Sequence, residues 1–354
     1  MKVLGIESSC DECAASVVVD GKTVLSNVVA TQIPFHAAYS GVVPEIASRK
    51  HTEWIQAVAR ETLEKAKIGV DEVDAVAATS RPGLLGSLLV GLTFAKAFAW
   101  ARGLPFIAVD HMLAHLYASR LELQGISAPP PEYPFLGLLV SGGHSIICRV
   151  DAFDEISVLG TTIDDAVGEA FDKVSKYYGF GYPGGAVIDK LARSGDAKAF
   201  RFPLPNLYKK TADGGSRRYD VSYSGLKNAV INQLEQFRAL PCPPDEETEK
   251  ANIAASFQKS AIETLLRSLF NAVEDTGLYT IVAGGGVAAN SLLRSSLAEK
   301  TVNGQKLRCL FPPAELCGDN GAMVAGIAYQ YLARGETSSF TENASARVWA
   351  FKRR

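Results

Sequence analysis

The chain is predicted to be an α/β protein made of two copies of one unit around a central cleft. Two observations carry this. Apolar β-rich runs alternate with helical patterns, and the order of those runs begins again near residue 134. In each copy, moreover, a strand ends in small polar or glycine residues, where ligands of α/β lobes usually sit.

The elements follow in order. "VLGIESS", "CAASVVVD" and "DGKTVLSNVVA" are β-rich, and Asp20-Gly21 is a hairpin signal between the last two. "HTEWIQAVARETLEKA" (51–66) reads as a helix whose outer face could meet a partner, with Trp54 and Ile55 in the core. "VDAVAATS" is a strand, "RPGLLG" a turn, "SLLVGLTFAKAFAWA" a helix and "PFIAVD" a strand. The second copy runs "PFLGLLVSGG", "HSIICRV", "EISVLGTT", then "GLYTIVAGGGVAAN", the helix "SLLRSSLAEK", the strand "KLRCLFPP" and "CGDNGAMVAGIAYQYLA". The stretch "LPCPPDEETEK" (240–250) reads as a surface loop. These limits give an N-terminal lobe 1–132, a C-terminal lobe 133–335 and a tail 336–354 returning to the N-terminal lobe.

Composition narrows the function. A chain of 354 residues exceeds one small core, and a formal net charge of −2 gives no global basic field, so any nucleic-acid contact needs a local patch. Cysteines 10, 13, 148, 242, 309 and 317 form no disulfide framework, and Cys10-x-x-Cys13 has no second pair for a zinc finger. The start "MKVLGIESSC" is too short in apolar residues for a signal peptide, and no run approaches the roughly 20 apolar residues of a membrane span. A cytoplasmic protein with no membrane partner is expected.

Three turns follow strands: Ser8-Ser9, Ser141-Gly142-Gly143 and Gly284-Gly285-Gly286. None is a P-loop or a dinucleotide fingerprint. Together, in a repeated frame, they favour a nucleotide held between the lobes. "DHMLAH" (110–115) places His111 and His115 one helical turn apart, on one face. The counterpart segment of the second copy carries Glu315, Asp319 and Asn320, with Asp319 the best third ligand. Two imidazoles and a carboxylate suit iron or zinc. Asp110 is placed to cap the helix. A zinc protease of H-E-x-x-H type needs Glu after the first His, and here that residue is Met112, which disfavours proteolysis.

"GIESSCDE", "GVVPEIASRKH", "HMLAHLYA", "LVSGGHS", "TTIDDAVGEAFDKV", "GFGYPGG", "YSGLKNAV", "AGGGVAANS" and "CGDNGAM" stand together in one order. In this the chain resembles the tRNA N6-adenosine threonylcarbamoyltransferases of bacterial TsaD type, once described as O-sialoglycoprotein endopeptidases, from residue 3 to about 333. The resemblance implies an actin-like ATPase fold, shared with sugar kinases, Hsp70 and actin. It implies transfer of threonylcarbamoyl from threonylcarbamoyl-AMP to N6 of adenosine 37 in tRNAs reading ANN codons, with AMP leaving. It implies one divalent metal, Fe(2+) favoured and Zn(2+) possible, on His111, His115 and Asp319. Substrate-binding positions fall on Leu139, Val140, Ser141, Gly142, Gly143, Asp172, Gly185, Asp189 and Asn290. Partner proteins of TsaB and TsaE type are implied as well.

The metal is expected to act as Lewis acid and template at the carbamoyl carbonyl. Asp11 and Glu12 are weak candidates for the base, and His144 is assigned to its hairpin. For tRNA, the basic residues are Lys209, Lys210, Arg217, Arg218 and Lys352-Arg353-Arg354, interleaved with Tyr208, Tyr219 and Tyr223 for stacking. Cys13, Arg81 and Asn228 depart from the family pattern without removing a ligand. The rival readings are a small-molecule kinase of the same fold and, less favoured, a metalloprotease; a third, a non-catalytic relative with a degenerate site, is opposed by the retained His111, His115, Asp319, Asp172 and Asn290.

Overall fold

The computed structural model describes residues 1–39, 41–125, 129–205, 207, 217–239, 246–347 and 352–353. Contacts divide the chain into two units: residues 1–133, 151–156 and 310–352 form the first, and 134–150, 157–309 and 353–354 the second.

The first unit begins with strands β1 (Lys2–Glu7), β2 (Glu12–Val19) and β3 (Thr23–Thr31). Asp20 and Gly21 both take positive φ, 51° and 66°, the conformation that Asp-Gly adopts in a two-residue hairpin turn. Helices α1 (Ile33–His36) and α2 (Pro44–Ala66) follow, then β4 (Ala75–Arg81), α3 (Leu85–Arg102), β5 (Phe106–Asp110) and α4 (His111–Tyr117). Pro44 starts α2, and α3 stops where Gly103 turns left-handed at φ 64°. The sheet order is β3-β2-β1-β4-β5, with β1 antiparallel to β2 and parallel to β4. Strand β1 is buried on both faces, so from Val3 to Ile6 it reads as an unbroken apolar run, whereas the outer strand β3 alternates. Leu4, Ile6, Val17, Ile55, Val58, Val76, Leu92 and Phe106 centre the core, with Trp54 packed at its margin.

The second unit contains β6 (Phe135–Val140), β7 (Ser145–Ala152), β8 (Glu155–Thr161), α5 (Val167–Tyr178), α6 (Gly184–Ala192), α7 (Ser224–Arg238) and α8 (Glu246–Thr276). Then come β9 (Thr280–Gly284), α9 (Ser291–Ala298), the small hairpin of β10 (Thr301–Val302) and β11 (Gln305–Lys306), and β12 (Arg308–Leu310). Its sheet reads β12-β9-β6-β7-β8, the same relative order as the first, with β6 antiparallel to β7 and parallel to β9. The expected loop at 240–250 is corrected in part: 246–250 are the first turn of α8, and 240–245 lie outside the described residues. A glutamate-rich stretch reads as surface, but it also favours a helix start.

Helix α10 (Gly321–Ala333) packs on β1 and β2 and belongs to the first unit, not to the second lobe where the sequence limits put it. Order along the chain does not record which sheet a helix returns to. The close approach explains two glycines. A Cβ on Gly5 would lie 2.4 Å from the Gly321 carbonyl oxygen, and one on Gly321 2.6 Å from the Ala15 backbone. The segment after α10 runs along the same unit. Ser338 N donates to Phe106 O at 2.8 Å, Ser345 N to Ser80 O at 2.9 Å, and Phe340 stacks on Phe106. A two-residue strand β13 (Lys352–Arg353) pairs beside β8.

Candidate functional site

Strand β5 delivers Asp110 and hands over directly to α4. Asp110 caps that helix, accepting from Met112 N at 2.9 Å and Leu113 N at 3.4 Å. Fixing the first turn fixes the direction of His111 and, one turn on, His115. Met112, the residue after the first histidine, is buried among the apolar core residues at 1 % exposure and brings no carboxylate to the helix. Across from α4, Asn320 caps α10 by accepting from Met323 N at 3.0 Å, while its amide holds the Leu316 and Gly318 carbonyls. That turn presents Asp319.

The three side chains converge within the first unit. His111 Nε2 and His115 Nε2 are 3.1 Å apart, and Asp319 Oδ1 lies 3.1 Å from His115 Nε2 and 3.5 Å from His111 Nε2. Metal–nitrogen and metal–oxygen bonds of about 2.0–2.1 Å at tetrahedral angles put neighbouring donors about 3.3 Å apart. The observed spacings bracket that value, so the donor set fits a divalent ion. The third ligand thus comes from the turn before a helix seated on the first sheet, where Gly5 and Gly321 let that helix approach, rather than from the second unit.

Glu7, wholly buried at the end of β1, lies behind His111: its Oε2 is 3.0 Å from His111 Nδ1. Burial alone would raise the Glu7 carboxyl, but the adjacent His111 outweighs it and holds the group below its usual value. Burial alone would likewise lower His111, yet Glu7 and then Asp319 push it up to about 9. His115 is held below its usual value by burial and by His111. Sequence reasoning missed Glu7. The one available signal was a carboxylate in the middle of an otherwise apolar strand end.

Asp11 and Glu12 follow the same strand. Glu12 accepts from Thr31 Oγ1 at 3.3 Å, and burial, then Asp11 and Asp319, push its carboxyl well up. Burial also pushes both thiols of the Cys10-x-x-Cys13 pair up, that of Cys13 to about 12, which disfavours thiolate chemistry there.

The remaining candidates gather in the second unit. Leu139 and Val140 are buried in β6 and can offer only backbone groups to a ligand. Ser141 closes the turn, its N donating to His144 O at 2.8 Å and its Oγ accepting from His144 N at 3.2 Å, while Gly142 and Gly143 stand exposed. Gly285, at φ 91°, passes so close to Val140 that a Cβ would sit 2.4 Å from its carbonyl oxygen. Asp172 accepts from Gly184 N at 2.7 Å, ordering the start of α6, where a Cβ on half-buried Gly185 would meet the Phe171 ring at an ordinary 3.8 Å. Asp189 accepts from Ser291 N, Ser291 Oγ and Gln258 Nε2 at 3.1, 2.7 and 3.0 Å. Asn290 caps α9 through Leu293 N at 3.0 Å. Asp189 and Asn290 therefore anchor the start of α9, just after the glycine turn, through protein hydrogen bonds.

The expected basic patch is corrected in part. Tyr223 is fully buried and cannot stack on a base. Tyr219 donates to Asp275 at 2.6 Å, and Arg218 is paired with Glu274 and Asp275 at 3.0 and 2.9 Å, so much of its charge is met internally. Arg217 is exposed. Tyr208, Lys209, Lys210 and Arg354 lie outside the described residues, as do the side chains of Lys352 and Arg353.

Solved structures with this architecture include full-length HypF in its phosphate- and nucleotide-bound form. The match has TM-score 0.56 and 14% identity, over 95% of this chain and 56% of that one. Component A of the (R)-2-hydroxyglutaryl-CoA dehydratase of Acidaminococcus fermentans matches at TM-score 0.53 and 15% identity, over 94% and 99%. Fold and site together define a two-unit α/β protein whose His111, His115 and Asp319 form a metal-binding triad. The family model TsaD, tRNA N6-adenosine threonylcarbamoyltransferase, matches residues 23–326. The protein of that description from Treponema denticola is 61% identical over 354 residues, covering 100% of this chain and 99% of the relative. The chain belongs to the TsaD family of tRNA N6-adenosine threonylcarbamoyltransferases.

Proposed function

We propose that the chain passes the threonylcarbamoyl group of threonylcarbamoyl-AMP to N6 of adenosine 37 in tRNAs reading ANN codons, releasing AMP. Family membership and the converging His111, His115 and Asp319 support this reading, and the triad is the observation that carries its chemistry. A divalent ion held there supplies Lewis-acid polarisation of a carbonyl oxygen. We favour Fe(2+), with Zn(2+) the alternative, because two imidazoles and a carboxylate suit both.

The nucleotide end of the donor is assigned to the second unit. There the Ser141–Gly143 turn offers backbone N–H groups to phosphate or carbonyl oxygen. Gly185 leaves room for a flat base, and Asp172, Asp189 and Asn290 hold the surrounding turns. An exocyclic adenine amine is a weak nucleophile, so positioning must supply much of the rate. Asp11 and Glu12, directly after the strand that carries Glu7, are proposed to take its proton. The repeated strand order supports descent of both units from one duplicated α/β unit. Partners of TsaB and TsaE type and a cytoplasmic location complete the reading. Among the described residues no helix is long and apolar enough to cross a membrane.

His111→Ala tests it. The variant is expected to lose stoichiometric metal and to slow transfer by at least about a hundredfold, the size of losing several kcal/mol of charge stabilisation. Nucleoside analysis of tRNA after reaction reads the outcome; undiminished transfer in the folded variant contradicts the proposal.

A further inference from the structure

We infer that Glu7 is a positioning residue for the metal centre: its carboxylate holds the His111 ring with Nδ1 protonated, so that Nε2 presents its lone pair to a metal. This rests on the metal-site reading above and extends it to a residue that is not itself a ligand.

The geometry is specific. Glu7 is completely buried, and its carboxylate is itself fixed on both oxygens. Ser9 N donates to Oε1 at 2.6 Å, and Thr79 Oγ1 donates to Oε2 at 2.5 Å. The contact from His111 Nδ1 to that same Oε2 is 3.0 Å, shorter than the 3.3 Å to Ser9 Oγ. A carboxylate accepts and cannot donate, so Nδ1 must carry the proton. Nε2 then faces His115 Nε2 and Asp319 Oδ1.

The neighbouring ligand provides the contrast. Among the described residues His115 Nδ1 is buried without a hydrogen-bond partner, so that outer nitrogen has no carboxylate behind it. Of the two imidazoles, only His111 has its outer nitrogen held by a buried anion. Carboxylates behind ligating histidines fix the tautomer and raise ligand basicity, and their loss costs about 10–100-fold in metal affinity. The alternative is that Glu7 merely closes the turn at Ser9. That role would leave metal affinity untouched in a folded variant.

The experiment titrates Zn(2+) into the metal-stripped full-length chain as wild type, Glu7→Gln and His111→Ala, with circular dichroism checking the fold of each. If Glu7 acts as inferred, Glu7→Gln binds about 10–100-fold more weakly while folded, and His111→Ala loses the site. Unchanged affinity in Glu7→Gln with loss in His111→Ala overturns the inference and leaves the metal reading standing. Wild-type affinity in His111→Ala overturns both. Should Glu7→Gln not fold, nitrogen-15 spectra of the Zn(2+)-loaded wild type decide: a protonated Nδ1 with ligated Nε2 on His111 supports the inference, and ligation through Nδ1 overturns it.

Discussion

At the scale of single residues, the metal centre depends on which atoms are free to coordinate. His111 and His115 were readable from their i, i+4 spacing, and Asp319 from its place in a repeated order. Glu7 was not readable, because nothing in a strand sequence shows what a side chain faces after folding. Asp319→Ala should therefore abolish tight metal binding while leaving α4 intact, since its cap Asp110 is untouched; metal analysis of the purified variant checks this. The departures from the family pattern separate by environment. Arg81, a long cation at a glycine-type turn, ends 3.1 Å from Glu342 in a half-buried pair. Asn228 is exposed on α7, so Asn228→Thr should change stability by less than about 0.5 kcal/mol in a thermal melt. Cys13 sits inside the first sheet, where a thiol packs as a small apolar group.

At the scale of elements, caps and close approaches aim the ligands. Asp110→Ala removes two accepted N–H bonds at the start of α4 and should cost about 1 kcal/mol of stability, measured by denaturant unfolding. Gly5→Ala is a harsher change. Its Cβ would meet the Gly321 carbonyl oxygen and Ala325 N at 2.4 and 2.5 Å, both backbone atoms. Overpacking of this kind costs about 1–3 kcal/mol, and here it also displaces the turn carrying Asp319. A melt lowered together with weakened Zn(2+) binding is the expected result; a lowered melt with unchanged binding shows that the turn moves independently of α10. The strands and most helices were legible because their apolar periods are strong. The helical start at 246–250 was not, since a run of prolines followed by acidic residues signals a loop as readily as a helix start. The burial of Tyr223 was equally hidden: a tyrosine between basic residues looks like a stacking platform until packing is known.

At the scale of the whole molecule, the repeated strand order was visible in the sequence, but the membership of α10 was not. Its apolar face fits any sheet, and close approaches such as that of Gly5 to Gly321 and of Gly326 to Tyr117 seat it on the first. The metal ligands are consequently contained in one unit, built from β5–α4 and the turn before α10. Metal should stabilise that unit by mass action, by about 2.7 kcal/mol at a hundred times Kd. Added Zn(2+) should thus raise the melting temperature of the wild type and leave that of His111→Ala unchanged.

The most direct measurement strips the protein of metal and supplies tRNA with threonylcarbamoyl-AMP and the partner proteins. Modified adenosine is then followed before and after Fe(2+) or Zn(2+) is returned. Transfer that disappears on stripping and returns with metal in the wild type, but not in His111→Ala, is the expected outcome. Full transfer by the metal-free protein would contradict a metal-dependent reaction at His111, His115 and Asp319.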